Sequence, residues 1–367
     1  MSVHPRPDGK PGYYVRYRDP SGRQREAWGP GRGEIFRRKI DAENFEAALK
    51  TDMRRGQWSD PAAKRTTVEE LGKQWLLTKR DPNTRAWNAL MLRHVNERWG
   101  STPLSTLDYL TIQAWIVERE LAGVGPDTVR GSFRVLHEIV KVAIRMRIIQ
   151  FDPCDGVKLP RVNRREMVFI TPAQVDTLAT VVEDTWRGEG YGALVRFAAY
   201  SGARAGEIGG LQVKHLDLLH RRVRIERTLK TYGGFGPTKT SKVRWVDIPR
   251  QLCEVMAVHL EQRGTSDPNA LVWIGERGGP LNHKWWYKQR FKPVVLELDA
   301  IPNELRFHDL RHTCVAFLIG QGAQQYEVME HLGHTKIQTT IDTYGHLFPN
   351  VRERIRVALE HTWDEVG

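Results

Sequence analysis

Cysteine is scarce in this sequence: 367 residues contain three, Cys154, Cys253 and Cys314, far apart and odd in number. That spacing excludes a disulfide framework and the paired cysteines of a structural zinc site. Each reads instead as a small buried apolar residue, suited to a reducing cytosol. Long apolar runs are missing too, and nothing approaches the ~18 consecutive apolar residues of a membrane span. The opening residues, MSVHPRPDGK, lack the apolar stretch of a secretory signal. There is no internal repeat and no low-complexity tract, which excludes a solenoid or a largely disordered chain. These absences lead us to expect a cytoplasmic protein with no membrane partner.

What is present is basic charge. The net charge is +12 and the isoelectric point near 9.7, a balance that suits a polyanionic partner. An apolar fraction of 40% supports packed cores, and the length fits two or three domains. Residues 1–65 carry half of the excess charge. There Tyr13–Arg18 and Arg23–Trp28 flank the turn Asp19-Pro20-Ser21-Gly22, which predicts a hairpin. Strand alternation puts Tyr14, Arg16 and Arg18 on one face and Tyr13, Val15 and Tyr17 on the other. A helix is expected from Lys39 to Arg55, stopped by Gly56. Such a basic sheet suits a DNA groove, with Arg16, Arg18, Arg23 and Arg25 as candidate contacts.

A polar linker at 57–66 precedes a helical pattern. Helices are predicted at Val68–Lys79, Thr84–Trp99, Leu110–Leu121 and Thr128–Ile149, with Pro82, Pro103 and Pro126 between them. Along the last helix Arg130, Arg134 and Lys141 recur on the polar side, where they can track phosphates. Residues 150–168 read as a second linker, and Thr171-Pro172 as a helix start. Strands are expected near Arg222–Thr228 and Val243–Ile248. The fold class expected is therefore multidomain α+β: a small N-terminal β-sheet plus helix (1–60), a helical bundle (66–152) and a mixed, mainly α domain with a small antiparallel sheet (165–367).

Four segments of the last domain carry chemistry. They are Ser201-Gly202-Ala203-Arg204-Ala205-Gly206-Glu207-Ile208, Pro237-Thr238-Lys239-Thr240, His308-Asp309-Leu310-Arg311-His312-Thr313, and Leu332-Gly333-His334 followed by Thr343-Tyr344-Gly345-His346. His308, Arg311 and His312 share a helix face by their spacing. Arg204 and Arg311 are permanent cations whose forked donors match phosphate oxygens. Two such forks stabilise the added charge of a pentacoordinate phosphorus. Lys239 offers a proton to a leaving oxygen, His334 another polar contact to the phosphate, and Tyr344 a nucleophile.

Taken in order, these segments resemble the conserved boxes of the tyrosine recombinase, or phage integrase, family. SGARAGEI is similar to its first arginine box, HDLRHT to its His-x-x-Arg box, LGH to its second histidine box and TYGHL to its nucleophile box. The bundle resembles the family's core-binding domain. The N-terminal segment resembles the arm-type DNA-binding domain of lambda-like integrases. The first box departs mildly, with Ser201 where the family more often has threonine. Lys230 and Lys242 lie near Lys239; the family's spacing before Arg244-Trp245-Val246-Asp247-Ile248-Pro249 favours Lys239.

The resemblance implies a site-specific recombinase that integrates and excises a phage or mobile element. Tyr344 would attack the scissile phosphate and leave a 3′-phosphotyrosine, without metal or other cofactor. Arg204, Arg311, His308 and His334 would hold the phosphate, His308 would take the tyrosine proton and Lys239 would protonate the 5′ oxygen. Implied partners are core-type and arm-type attachment sites in double-stranded DNA, three further copies of the chain in a synaptic tetramer, a DNA-bending protein and a directionality factor. Glu207 is expected to orient Arg204. The amphipathic segment Val351–Val366 is expected to pack either on a neighbouring protomer or on its own domain.

Other readings compete. His308 and His312 have the spacing of a helical zinc pair, but Arg311 lies between them and no third ligand follows at a recognisable spacing. A non-catalytic DNA-binding regulator would not need the full residue set. A type IB topoisomerase or a chromosome-resolving recombinase would not call for the basic N-terminal segment.

Overall fold

The computed structural model describes every residue except Ser21, 30–34, 56–64, 163–164, 187–189, Gly233, 239–241, 349–350 and 365–367. It divides into two compact units, Met1–Asn163 and Arg164–Gly367. Gly56, most of the first linker and Lys239 lie outside the described residues.

The first unit opens with strands β1 (Ser2–Pro5), β2 (Tyr13–Arg18) and β3 (Gln24–Ala27), antiparallel in that order. The β2–β3 hairpin matches the sequence reading, with Arg18 opposite Gln24. Strand β1 was not expected from the sequence, because it is four residues long and ends in Pro5. An edge strand tolerates that proline. Val15 packs with Phe36 and Ala42 of helix α1 (Lys39–Arg54) in a small core. The alternation therefore holds, and the opposite face carries Tyr14, Arg16 and Arg18. On that face Tyr14 is stacked between His4 at 5.4 Å and Trp28 at 4.6 Å.

Four helices follow: α2 (Val68–Leu77), α3 (Pro82–Trp99), α4 (Tyr109–Leu121) and α5 (Pro126–Arg145). Thr67, Asp81 and Asp108 cap the first three through side-chain oxygens. Val129, Phe133, Leu136, Ile139, Val140 and Ala143 form the buried stripe of α5. That helix stops four residues before its expected end, because Arg147 turns left-handed (φ 58°) and Ile148 N–H closes onto Ala143 O. The segment read as a linker is packed at its start. Cys154 joins the bundle core, and Arg130 donates to Pro160 O.

The second unit contains α6 (Pro172–Thr185), α7 (Tyr191–Ser201) and the short α8 (Ala205–Gly209). Then come β4 (Leu216–Asp217), β5 (Arg222–Ile225), β6 (Arg227–Leu229), β7 (Phe235–Pro237) and β8 (Arg244–Asp247). They form an antiparallel sheet ordered β4-β5-β8 and a separate β6-β7 ladder. The helices α9 (Arg250–Arg263), α10 (His283–Trp286), α11 (Lys292–Glu297), α12 (Asp309–Gly320), α13 (Gln325–Leu332), α14 (Ile337–Tyr344) and α15 (Val351–Asp364) complete it. The main core gathers α6 and α7 with Trp273, Trp286, Phe291 and Phe307. A smaller core of Val315, Ile319, Val328 and Leu332 encloses Tyr344. Among the described residues no helix is long and apolar enough to cross a membrane.

Candidate active site

The site is built where α7 gives way to α8. Gly202 ends α7 with φ +61° and lies so close to Cys314 and Leu332 that a Cβ there would stand 3.2 Å from both. Only glycine meets both demands. Arg204 is the residue before α8, and its backbone N–H donates to Glu207 Oε2 at 2.8 Å. One guanidinium nitrogen of Arg204 donates to Glu207 Oε1 at 3.0 Å, while its side chain remains 29% exposed. Glu207 itself is buried, and Arg244 of β8 forks onto it at 3.0 and 2.8 Å. Burial raises the Glu207 pKa. The Arg244 hydrogen bonds and charge, with the backbone N–H and charge of Arg204, outweigh this and hold the carboxyl at about 2.

Helix α12 supplies the second group. Arg311 is buried and donates to Gly202 O, to Leu332 O at 2.9 Å and to His334 Nε2 at 3.3 Å. Desolvation and the charge of Arg204 depress its pKa to about 10, so it stays a cation at neutral pH. His334 follows Gly333, the left-handed cap of α13 (φ +67°). Its Nδ1 lies 2.9 Å from the buried Thr340 hydroxyl. Because Arg311 donates to Nε2, the proton of a neutral ring belongs on Nδ1 and is donated to Thr340. Desolvation, then Arg311, Arg204 and Arg244, hold His334 at about 4.

Tyr344, at the end of α14, is 2% exposed. Burial pushes its phenol up to about 12 against the pull of Arg311, so the phenol is protonated at neutral pH. Its oxygen lies 2.8 Å from His312 Nδ1. The expected proton acceptor, His308, instead stands at the start of α12 with its ring edge-on to His312 at 5.1 Å. His308 keeps solvent access, but protein crowded around it desolvates its charged form, and His312 and Arg311 repel that charge. Its pKa falls below the ordinary imidazole range. His312 is lowered as well, first by desolvation.

Five of the six candidate catalytic residues thus fall in one neighbourhood, and the sixth, Lys239, lies outside the described residues. His312 and Arg244 were not among the site residues read from the sequence. The signal for His312 was its place four residues after His308 on the same helix. For Arg244 no local pattern distinguishes a strand arginine from a surface charge.

The candidate DNA contacts are mostly engaged within the chain. Arg16 pairs with Glu26 at 3.0 Å and Arg25 with Asp19 at 3.1 Å, while Arg18 donates to Gly22 O at 3.1 Å. Arg23 is exposed at the turn. In the bundle Arg134 stacks on Trp87 at 4.3 Å, Lys141 lies 3.5 Å from Glu138, and Arg130 is tied to Pro160. The exposed pairs among these, Arg16–Glu26 and Lys141–Glu138, contribute little to stability.

Residues 168–350 match the Phage integrase family. The ICEBs1 integrase of Bacillus subtilis is 24% identical, the match covering 73% of this chain and 74% of the relative. The integrase of Mycobacterium phage L5 is 25% identical, covering 82% and 83%. Among solved structures, the Tn1549 transposon integrase in complex with transposon right end DNA shares the fold with a TM-score of 0.69 at 20% identity. That match covers 81% of this chain and 99% of the other. A lambda integrase tetramer bound to a Holliday junction matches with a TM-score of 0.56 at 15% identity, over 92% and 94%.

Proposed function

This chain belongs to the phage integrase family of tyrosine recombinases and is a site-specific DNA recombinase, and from that premise we propose that Tyr344 is its nucleophile and His312 the immediate acceptor of the phenolic proton. The observation that carries the reading is convergence. A phenol, an imidazole within hydrogen-bond distance of it and two guanidiniums meet from segments more than a hundred residues apart. The Tyr344 oxygen attacks the scissile phosphorus as its proton passes to His312, forming the 3′-phosphotyrosine bond. The phosphorus–O5′ bond breaks, and the leaving oxygen takes a proton from Lys239 to become a 5′-hydroxyl. A 5′-hydroxyl of the partner duplex reverses the step. Arg204 and Arg311 stabilise the charge on the non-bridging oxygens. His334, bonded on both nitrogens, holds Arg311 in place, and His308 borders the phosphate from the open side.

Double-stranded DNA is the substrate, bound at core-type sites by the bundle and the catalytic unit. The N-terminal sheet binds arm-type sites through its Arg16 and Arg18 face, with Arg23 at the adjoining turn. Four copies assemble in synapsis, a reading supported by the fold shared with the lambda integrase tetramer bound to a Holliday junction. Ile355, Leu359 and Trp363 of α15 are 54%, 65% and 81% exposed, which favours packing on a neighbouring copy over packing in cis. A DNA-bending protein and a directionality factor complete the reading, which places the protein with DNA in the bacterial cytoplasm.

The test begins with a random-sequence library of duplexes, each carrying a central nick, from which protein-linked DNA is recovered and sequenced. Wild type should yield a defined sequence covalently attached at Tyr344, and Tyr344→Phe none. An adduct of equal yield in the phenylalanine variant removes Tyr344 from its role.

A further inference from the structure

Glu207 creates a problem for the proposed site. It is a carboxylate, 2% exposed, that also takes a side-chain hydrogen bond at 3.0 Å from Arg204, the guanidinium needed by the phosphate. If Arg204 were its only cation, the two would form a neutral pair and Arg204 would offer little charge to a phosphorus gaining negative charge. Arg244 alters that balance. Its two terminal nitrogens take both oxygens of Glu207, at 3.0 and 2.8 Å, leaving the Arg204–Glu207–Arg244 trio with a net charge of +1. Arg244 is only 11% exposed on its side chain, and its remaining Nε donates to His331 O at 3.3 Å. All three of its guanidinium nitrogens therefore have acceptors within the protein.

The contact with His331 extends the effect. His331 sits in the last turn of α13, and the next loop residues are Gly333 and His334. A Cβ at Gly333 would stand 2.8 Å from Arg244 Cδ and 3.0 Å from Nε, so the loop lies directly on the arginine. Through one side chain, β8 is joined to the carboxylate beside Arg204 and to the loop that carries His334.

We infer that Arg244 is a positioning residue of the recombinase site, which neutralises Glu207 so that Arg204 is free to bind the scissile phosphate and which seats the loop bearing His334. The inference rests on the proposed roles of Tyr344 and Arg204. It goes beyond them in assigning to a strand arginine the control of Arg204's charge.

The experiment uses the full chain and the nicked duplex recovered with the wild type, comparing Arg244→Lys, Arg244→Met and each combined with Glu207→Gln. Cleavage is followed as single-turnover formation of the covalent adduct, and binding separately by titration. Lysine keeps the charge but loses the fork, and should slow cleavage about tenfold; methionine should slow it about a hundredfold, in the range of a lost transition-state donor. Duplex affinity should stay within about threefold in both. Adding Glu207→Gln removes the competing carboxylate and should restore about tenfold of the methionine variant's loss and a smaller part of the lysine variant's. A merely structural arginine would show no such rescue. Whichever variant folds carries the test. Cleavage within twofold of the wild type, or no gain on adding Glu207→Gln, overturns the inference. A wild type that forms no Tyr344 adduct removes the nucleophile reading and the inference with it, and is told apart by the wild-type lane alone.

Discussion

At the scale of single residues the site depends on charges held in one state. His334 and His308 are kept neutral by desolvation and by nearby positive charge, Tyr344 is kept protonated, and Arg311 remains charged despite burial. A protonated phenol needs an acceptor at the moment of attack, and His312 is the imidazole 2.8 Å away. His312→Ala should therefore slow adduct formation about 10²- to 10⁴-fold, the usual worth of a positioned general base, while duplex affinity changes little. The deficit should shrink as the pH is raised toward the phenol's own pKa. A pH-independent deficit, or a loss of binding equal to the loss of rate, would remove His312 from that role. His312 was legible in the sequence only as a neighbour of Arg311, since helical spacing gives His308 and His312 the same face. Which ring meets the phenol depends on where α14 crosses α12.

At the scale of elements, the short distances arise from how helices end. Gly202 and Gly333 turn left-handed at the ends of α7 and α13, and Arg311 donates both to Gly202 O, two residues before Arg204, and to His334 Nε2. The helices α2 to α5 were readable from their period, whereas the caps at Gly202 and Gly333 were not, because the residues around them were read for chemistry. Nor was strand β1, because its pairing to β2 is non-local and it is four residues long. Helix α15 behaves differently from the rest: its apolar residues Ile355, Val357, Leu359 and Trp363 are all exposed. A chain ending at Asn350 should fold with a nearly unchanged melting temperature, since these four apolar side chains are exposed, yet form the synaptic tetramer on DNA at least tenfold more weakly. Size-resolved assembly on the recovered duplex measures this, and tetramers of wild-type affinity would return α15 to a passive role.

For the whole molecule, the depressed histidines link folding to pH. The unfolded chain binds protons at imidazoles near pH 6.5, whereas His334 in the folded chain does so only near 4. The unfolded state therefore holds more protons between these values, and stability rises with pH across that window and is lost as pH falls through it. His308, His312 and His331 shift in the same direction. The unfolding free energy should fall from pH 7 to pH 5 by about 1–2 kcal/mol for His334 alone, and the denaturant midpoint with it. Replacing His334 by glutamine should flatten the slope, and an unchanged midpoint across that range would contradict the neutral site. Taken by itself, the sequence determined the fold class, the order of the boxes and the chemical identities of Arg204, Arg311, His334 and Tyr344, because periodicity and residue chemistry are local properties. Only the tertiary structure decided that His312 faces the phenol, that His334 braces Arg311 and that Arg244 holds Glu207. Those contacts join residues 23 to 37 positions apart, and such pairings are set by how elements cross, which no local pattern records.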